Sequence, residues 1–166
     1  MEATTQIVEP IVKGPGQGDP LWFMGALLTI KASAETTGGS LGMIECLAPR
    51  GHGSPLHAHQ REDEWFYVVE GELTLWVGGE TIVAPAGSFV FGPRNVPHTF
   101  LVSSDEARFL LVTQPGGFEE FTRAIGEPAP RLELPPPATE PPDVAAMTEV
   151  AARFGIEILG PPGLPD

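Results

Sequence analysis

The sequence predicts an all-β fold, a sandwich or barrel of short strands with short helices packed outside it. Three observations lead there. Glycine (20) and proline (19) are both abundant among the 166 residues, which favours many turns over long helices. From Leu21 to Pro115, short apolar segments alternate with Gly, Pro, Ser and Asp; strands spaced this closely pack as a sandwich or a barrel. Helical signals begin only after that stretch. The length suits one domain with enough chain to bury a core.

The elements follow in order. Residues 1–20, with "VKGPGQGDP", read as an N-terminal arm or loop. Leu21–Ser33 and Gly39–Pro49 read as strands on either side of the turn signal "AETTGG". The segments "EWFYVVEG", "ELTLWVGGETIVAPAGSFVFGP", "HTFLVSS" and "ARFLLVTQP" continue the pattern, with "VGGE" (Val77–Glu80) a hairpin turn by composition. In "FLLV", Phe109 and Leu111 share one face and Leu110 and Val112 the other, which predicts a second buried face, under helices or against another subunit. In Gly117–Glu127, Phe118, Phe121 and Ile125 fall at helical spacing. Residues 21–127 therefore hold the barrel and one short helix, and 128–142 are a proline-rich connector. The last part, 143–166, is a helix bounded by Pro142 and Gly155, followed by an extended tail.

Composition excludes several classes of function. A net charge of −13 argues against nucleic acid and against anionic membrane surfaces, since both require basic protein surface. The charge confers solubility. Cys46 is the single cysteine, so no internal disulfide can form. No apolar run is long enough to span a bilayer and no leader-like segment opens the chain. The expected compartment is the cytoplasm.

The stretch "GHGSPLHAHQREDEWFYVVEG" (Gly51–Gly71) holds three of the four histidines and runs into an apolar strand. Histidines clustered with a carboxylate suggest a metal site. His57 and His59 are two apart, so on a strand they share one face with Cβ atoms roughly 6.5–7 Å apart and can converge on one ion at roughly 2.1 Å. Ala58 points the other way. Glu62, Asp63 and Glu64 compete for the carboxylate role. If Glu64 points inward, so do Phe66 and Val68; if Asp63 does, Trp65, Tyr67 and Val69 go with it. Both sets are apolar, so alternation leaves the choice open. His98, in "GPRNVPHTF" at the start of a later strand, is the candidate for a further ligand.

Two spacings now become specific. Gly51-x5-His57-x-His59-x4-Glu64-x6-Gly71 resembles the first cupin motif, and Gly87-x5-Pro93-x-Asn95-x2-His98 resembles the second, with 15 residues between them. Asn95 stands where the family usually has Gly; Asn tolerates positive φ better than most residues, so the turn is expected to survive. Val102 stands where an Asn often follows. The phrase "HQREDEWFYVVEGELTLWVGGE", the "GFEEF" helix and the proline-rich, helical C-terminus are similar to small bacterial proteins called quercetin 2,3-dioxygenase-like. This resemblance implies a cupin-type jelly-roll β-barrel and a metal set of His57, His59, Glu64 and His98. It makes Glu64 the matching carboxylate and the catalytic candidate.

The other residues receive plainer readings. His52, between two glycines, is a loop residue. Arg61, Glu62 and Asp63 form a solvated rim or support the imidazoles from behind. Cys46 is core. Trp65, Phe66, Tyr67 and Trp76 are first of all core, with one or two free to line a pocket. "GGSLG" (Gly38–Gly42) fits G-x-S-x-G, but it precedes a strand in an all-β pattern rather than a strand-to-helix turn.

Three imidazoles and one carboxylate leave a divalent transition metal (Fe, Mn, Ni, Cu, Co or Zn) with a net charge of about +1, and a six-coordinate ion keeps about two open positions. The expected activity is a dioxygenase acting on an enolic or phenolic, flavonol-like small molecule, with Glu64 as base. A metal-dependent isomerase, epimerase or cyclase is the alternative, and a non-catalytic ligand-binding module is a third. A small-molecule partner and a homodimer are expected.

Overall fold

In β3, alternate residues are buried and half-buried along its whole length, as a strand with one face on the core requires. The computed structural model describes residues 8–166. The strands are β1 (Asp19–Phe23), β2 (Ala26–Ala32), β3 (Gly42–Pro49), β4 (Pro55–His59), β5 (Asp63–Glu70), β6 (Glu72–Val77), β7 (Glu80–Pro85), β8 (Phe89–Gly92), β9 (His98–Val102) and β10 (Glu106–Gln114). Then come helix α1 (Phe118–Ile125), the two-residue β11 (Glu127–Pro128), helix α2 (Val144–Arg153) and β12 (Ile156–Pro162).

The strands make two antiparallel sheets, a seven-stranded one in the order β11-β1-β2-β3-β10-β5-β8 and a five-stranded one in the order β12-β4-β9-β6-β7. The fold is the expected all-β jelly roll with the two helices outside it. The hydrogen-bonded sheets do not close into one continuous barrel. The core lies between them: Ile44, Phe66, Val68 and Phe109 from the larger sheet meet Leu73, Leu75, Phe100 and Val102 from the smaller.

The segment Leu21–Ser33, expected as one strand, is a hairpin. Phe23 pairs with Ala26 across a two-residue turn of Met24 (φ 51°) and Gly25 (φ 90°). Two positive φ values in succession match the twist of the flanking strands. A methionine at such a position is unusual, so the turn carries no ordinary composition signal. The expected Val77–Glu80 turn is of the same type, with Gly78 and Gly79 both at positive φ. Asn95 has a φ of 64°, so the turn of the second motif forms without glycine.

β10 carries Phe109 and Leu111 toward the core, while Val112, flanked across the sheet by Met43 and Trp65, is buried on the outer face. The described part of the N-terminal arm is tied to that face, because Lys31 Nζ donates to Gly14 O (3.0 Å) and Gln17 O (2.8 Å). Residues 1–7 of the arm lie outside the described residues. Helix α2 begins at Asp143, whose side chain accepts from the Ala146 amide, a normal N-cap. The tail then returns as β12 and pairs with β4. The four aromatics expected in the core divide: Phe66 is fully buried, Trp65 and Trp76 are half-buried, and Tyr67 is exposed on the outer face.

Candidate metal centre

His57 and His59 alternate along β4 and are both buried. β4 runs antiparallel to β9, and the single paired position in that ladder places His57 directly opposite His98. Residues so paired carry their side chains on the same face. Glu64 comes from β5 in the opposite sheet, so the cluster spans the space between the sheets. One nitrogen from each histidine and one Glu64 oxygen all lie within 4.8 Å of one another.

The open question about the carboxylate is answered by direction. Glu64 points inward with Phe66 and Val68. Asp63 points to the rim, where it accepts from the Arg94 amide (2.9 Å) and guanidinium (3.1 Å). Arg61 is exposed. Glu62 is buried behind His59, with Oε2 3.4 Å from Nδ1. Of the rim and support roles weighed for Glu62, the structure chooses support.

Each imidazole is held from behind through Nδ1. His57 Nδ1 faces Pro55 O at 2.7 Å and His98 Nδ1 faces Val96 O at 3.0 Å. A carbonyl can only accept, so these Nδ1 atoms carry the proton and Nε2 is the ring atom turned to the centre. Glu64 Oε2 lies 2.6 Å from His98 Nε2 and 3.4 Å from His59 Nε2. The second contact is not aligned as a hydrogen bond. His59 Nε2 is the one buried side-chain nitrogen or oxygen without a hydrogen-bond partner among the described residues.

An orphaned buried nitrogen costs free energy, and a shared ion removes that cost. Donors about 2.1 Å from one ion sit roughly 3–4 Å apart, close to the spread seen here. The residues present fit a divalent transition metal.

The protonation of the metal-free cluster follows from its charges. Burial pushes the His57 imidazole down to about 3, assisted by His98 and His59. Burial also acts to lower His59, but the Glu64 charge and the contacts with Glu62 and Glu64 prevail and raise it to about 9. Glu64 is pushed up by burial and pulled further down by His59 and His98, so it stays ionised well below the usual carboxylate range.

His57 and Glu64 also line an apolar cavity of about 80 Å³. Phe66, Phe100 and Phe109 of the core form its walls. Its roof comes from Phe23 and Met24 of the β1–β2 hairpin, Phe118 and Phe121 of α1, and Met147 of α2. Phe121, Met147, Ala151 and Ile156 form a small apolar cluster separate from the main core. His52, expected as a plain loop residue, lines the cavity too, and burial lowers its imidazole to about 4 despite a hydrogen bond with the Met24 backbone. Cys46 is buried in the core, where burial and nearby carboxylates push its thiol far up, as befits an inert residue.

Sequence reasoning passed over Glu119 altogether. It is a buried acid on α1 whose carboxylate accepts from the Ala34 and Gly117 amides, and it packs against Gly42, where any Cβ would collide with it. It fastens α1 to the β2–β3 loop and stands apart from the metal cluster. The signal for it was weak: an acid on the first turn of a helix normally faces solvent.

Residues 43–113 match the family described as "Cupin domain". The chain carries a cupin domain. It is 33% identical over 119 residues to a quercetin 2,3-dioxygenase of Bacillus subtilis, covering 72% of this chain and 35% of that protein. It is also 33% identical over 127 residues to a quercetin 2,3-dioxygenase of Aspergillus japonicus, covering 74% of this chain and 31% of that one. The cupin chain thus spans about a third of the length of these curated relatives. An RmlC-like cupin from Shewanella frigidimarina superposes with a TM-score of 0.57 at 20% identity, over 69% of this chain and 99% of that one, which concerns the fold. No helix among the described residues is long and apolar enough to cross a membrane.

Proposed function

We propose that this cupin is a metal-dependent dioxygenase acting on a neutral enolic or phenolic small molecule, with His57, His59, Glu64 and His98 as the metal ligands. The single observation that carries this reading is the pairing of the four-donor cluster with an apolar cavity whose lining contains no lysine or arginine. A substrate carrying carboxylates or phosphates would find no cationic side chain there. An aromatic or alkyl body with one or two oxygens would find phenylalanine walls and a metal-binding end. The relatives named quercetin 2,3-dioxygenase support the reaction class.

The bound metal would supply Lewis acidity and the redox chemistry of oxygen activation. The chain's own residues do the rest. The histidines, held through Nδ1, present Nε2 to the centre. Glu64, which lines the cavity, would take the hydroxyl proton of the substrate as general base. The phenylalanines exclude water and orient the apolar body.

The cavity of about 80 Å³ is well below the roughly 300 Å³ of ordinary ligand pockets. Compact enols fit it more closely, and a full flavonol requires the roof of α1 and α2 to move. Oxygen uptake by the metal-loaded protein, measured with a size-graded panel from simple enols and catechols to flavonols, tests both points. Absence of uptake with every metal and substrate would overturn the dioxygenase reading. Turnover that proceeds equally well without oxygen would replace it with an isomerase or cyclase.

A further inference from the structure

The three imidazoles of the cluster are not supported alike. His57 and His98 each turn Nδ1 to the main-chain carbonyl two residues before them. His59 turns Nδ1 to a carboxylate, Glu62. Its carbonyl accepts instead from the Asn95 amide (2.7 Å), and the next residue, Gln60, donates to Gly155 O (2.8 Å). The turn that follows, Gln60–Glu62, then brings Glu62 back behind the ring.

Glu62 is 4% exposed, and His59 is its only hydrogen-bond partner among the described residues. Its other oxygen faces the start of α1, where a Cβ on Gly117 would sit 3.4 Å away. The nearby arginine Arg94 is bound to Asp63. A buried carboxylate is costly unless it is paired. Placed on the far side of an imidazole whose Nε2 faces a cation, it becomes favourable, since the charges then alternate along one line. The same carboxylate fixes the proton on Nδ1 and makes Nε2 a stronger donor. His59 Nε2 is also the fully buried ring nitrogen without a hydrogen-bond partner among the described residues.

Resting on the metal-site reading above, we propose that Glu62 is the positioning residue of this centre, holding the His59 ring by its Nδ1–H and raising its affinity for the metal from outside the ligand set. The role belongs to Glu62 alone of the neighbouring acids, because Asp63 is committed to Arg94.

The test uses the full chain and Co(II) as probe. Affinity is measured by chelator competition and the ligand field by the visible spectrum. Glu62→Gln keeps the shape and removes the charge; Glu62→Asp keeps the charge and shortens the reach. The expected result is a 10–100-fold loss of Co(II) affinity in Glu62→Gln, a smaller loss in Glu62→Asp, and a shifted visible spectrum in the former. Metal-free melting temperatures of both variants are recorded alongside. Co(II) affinity within twofold of wild type in Glu62→Gln would overturn this inference alone. So would affinity that falls only in step with metal-free stability in both variants, because the role would then be structural. Failure of the wild type to bind Co(II) would overturn the metal-site reading itself, and this inference with it.

Discussion

Ile156 lies directly opposite His59 in the antiparallel ladder of β12 with β4, and Ile158 lies opposite His57 in the same ladder. The C-terminal strand therefore braces the strand that carries two of the four donors. Both isoleucines line the cavity beside them. Ile156 is buried, so Ile156→Ala should cost about 3 kcal/mol. Thermal or urea unfolding measures this, and a cost below about 1 kcal/mol would mean that the tail is an ornament and not part of the site.

Removal of a donor should separate metal binding from folding. His98→Ala takes one of the four donors from the cluster. Its loss of affinity should exceed the roughly 10–100-fold that a supporting residue costs. Glu64→Gln should keep the fold and some metal while losing turnover, because the amide cannot act as base. Metal analysis of the purified variants, alongside circular dichroism, checks both. Full activity in Glu64→Gln would remove it from the mechanism.

Metal binding should release protons. The metal-free His59 is raised to about 9 and is charged at neutral pH, whereas a ligating imidazole must be neutral. About one proton per metal should therefore leave at pH 7, and none well above pH 9. Calorimetry in two buffers of different ionisation enthalpy reads the number directly. The same group sets a stability window for the metal-free protein. Its folded pKa lies above the unfolded value of about 6.5, so its contribution is complete below pH 6.5 and is lost as pH rises through 9.

Acid should act through the two depressed histidines. His52 is lowered to about 4 and His57 to about 3, while the unfolded chain takes up these protons near pH 6.5. The unfolded state then binds more protons, so stability falls as pH drops from 6.5 through 4. His52→Gln should flatten part of that slope without touching the ligand set. Unfolding free energies at several pH values in that window check the sign. A slope unchanged by the substitution would show that His52 is freely protonated in the fold.

The expected homodimer has a specific candidate face. Phe89 pairs with Tyr67 and Phe91 with Trp65 at the β8 edge of the larger sheet. Phe89, Phe91 and Tyr67 are exposed together, an apolar patch of the kind that marks association sites. Sizing in solution should return a dimer, and a Phe89→Glu, Phe91→Glu double variant should return a monomer. A monomeric wild type would end the proposal.

How much was legible depended on range. The helices were readable because their start and stop signals lie within a few residues of each other, from Asp143 to Gly155 and around Phe118, Phe121 and Ile125. The β1–β2 hairpin was not, because its turn uses Met24 at positive φ inside a continuous apolar run. The choice between Asp63 and Glu64 resisted alternation because both faces of β5 are apolar, and one of them leaves Tyr67 and Val69 exposed. Only the register of β5 against β10 and β8 makes the faces unequal.

The sequence by itself determined the fold class and the histidine candidates His57, His59 and His98, and the resemblance of its motifs to the cupin family supplied Glu64 as the carboxylate. Those depend on short spacings, such as two residues along a strand for His57 and His59. The tertiary structure alone decided that His98 stands across from His57, that β12 closes against β4 some 100 residues after it in the chain, and that Glu62 turns in behind His59. It also decided that phenylalanines from distant elements shape the cavity. Such contacts are set by how two sheets pack, and the local pattern of residues carries no record of which distant side chain will fill a given space.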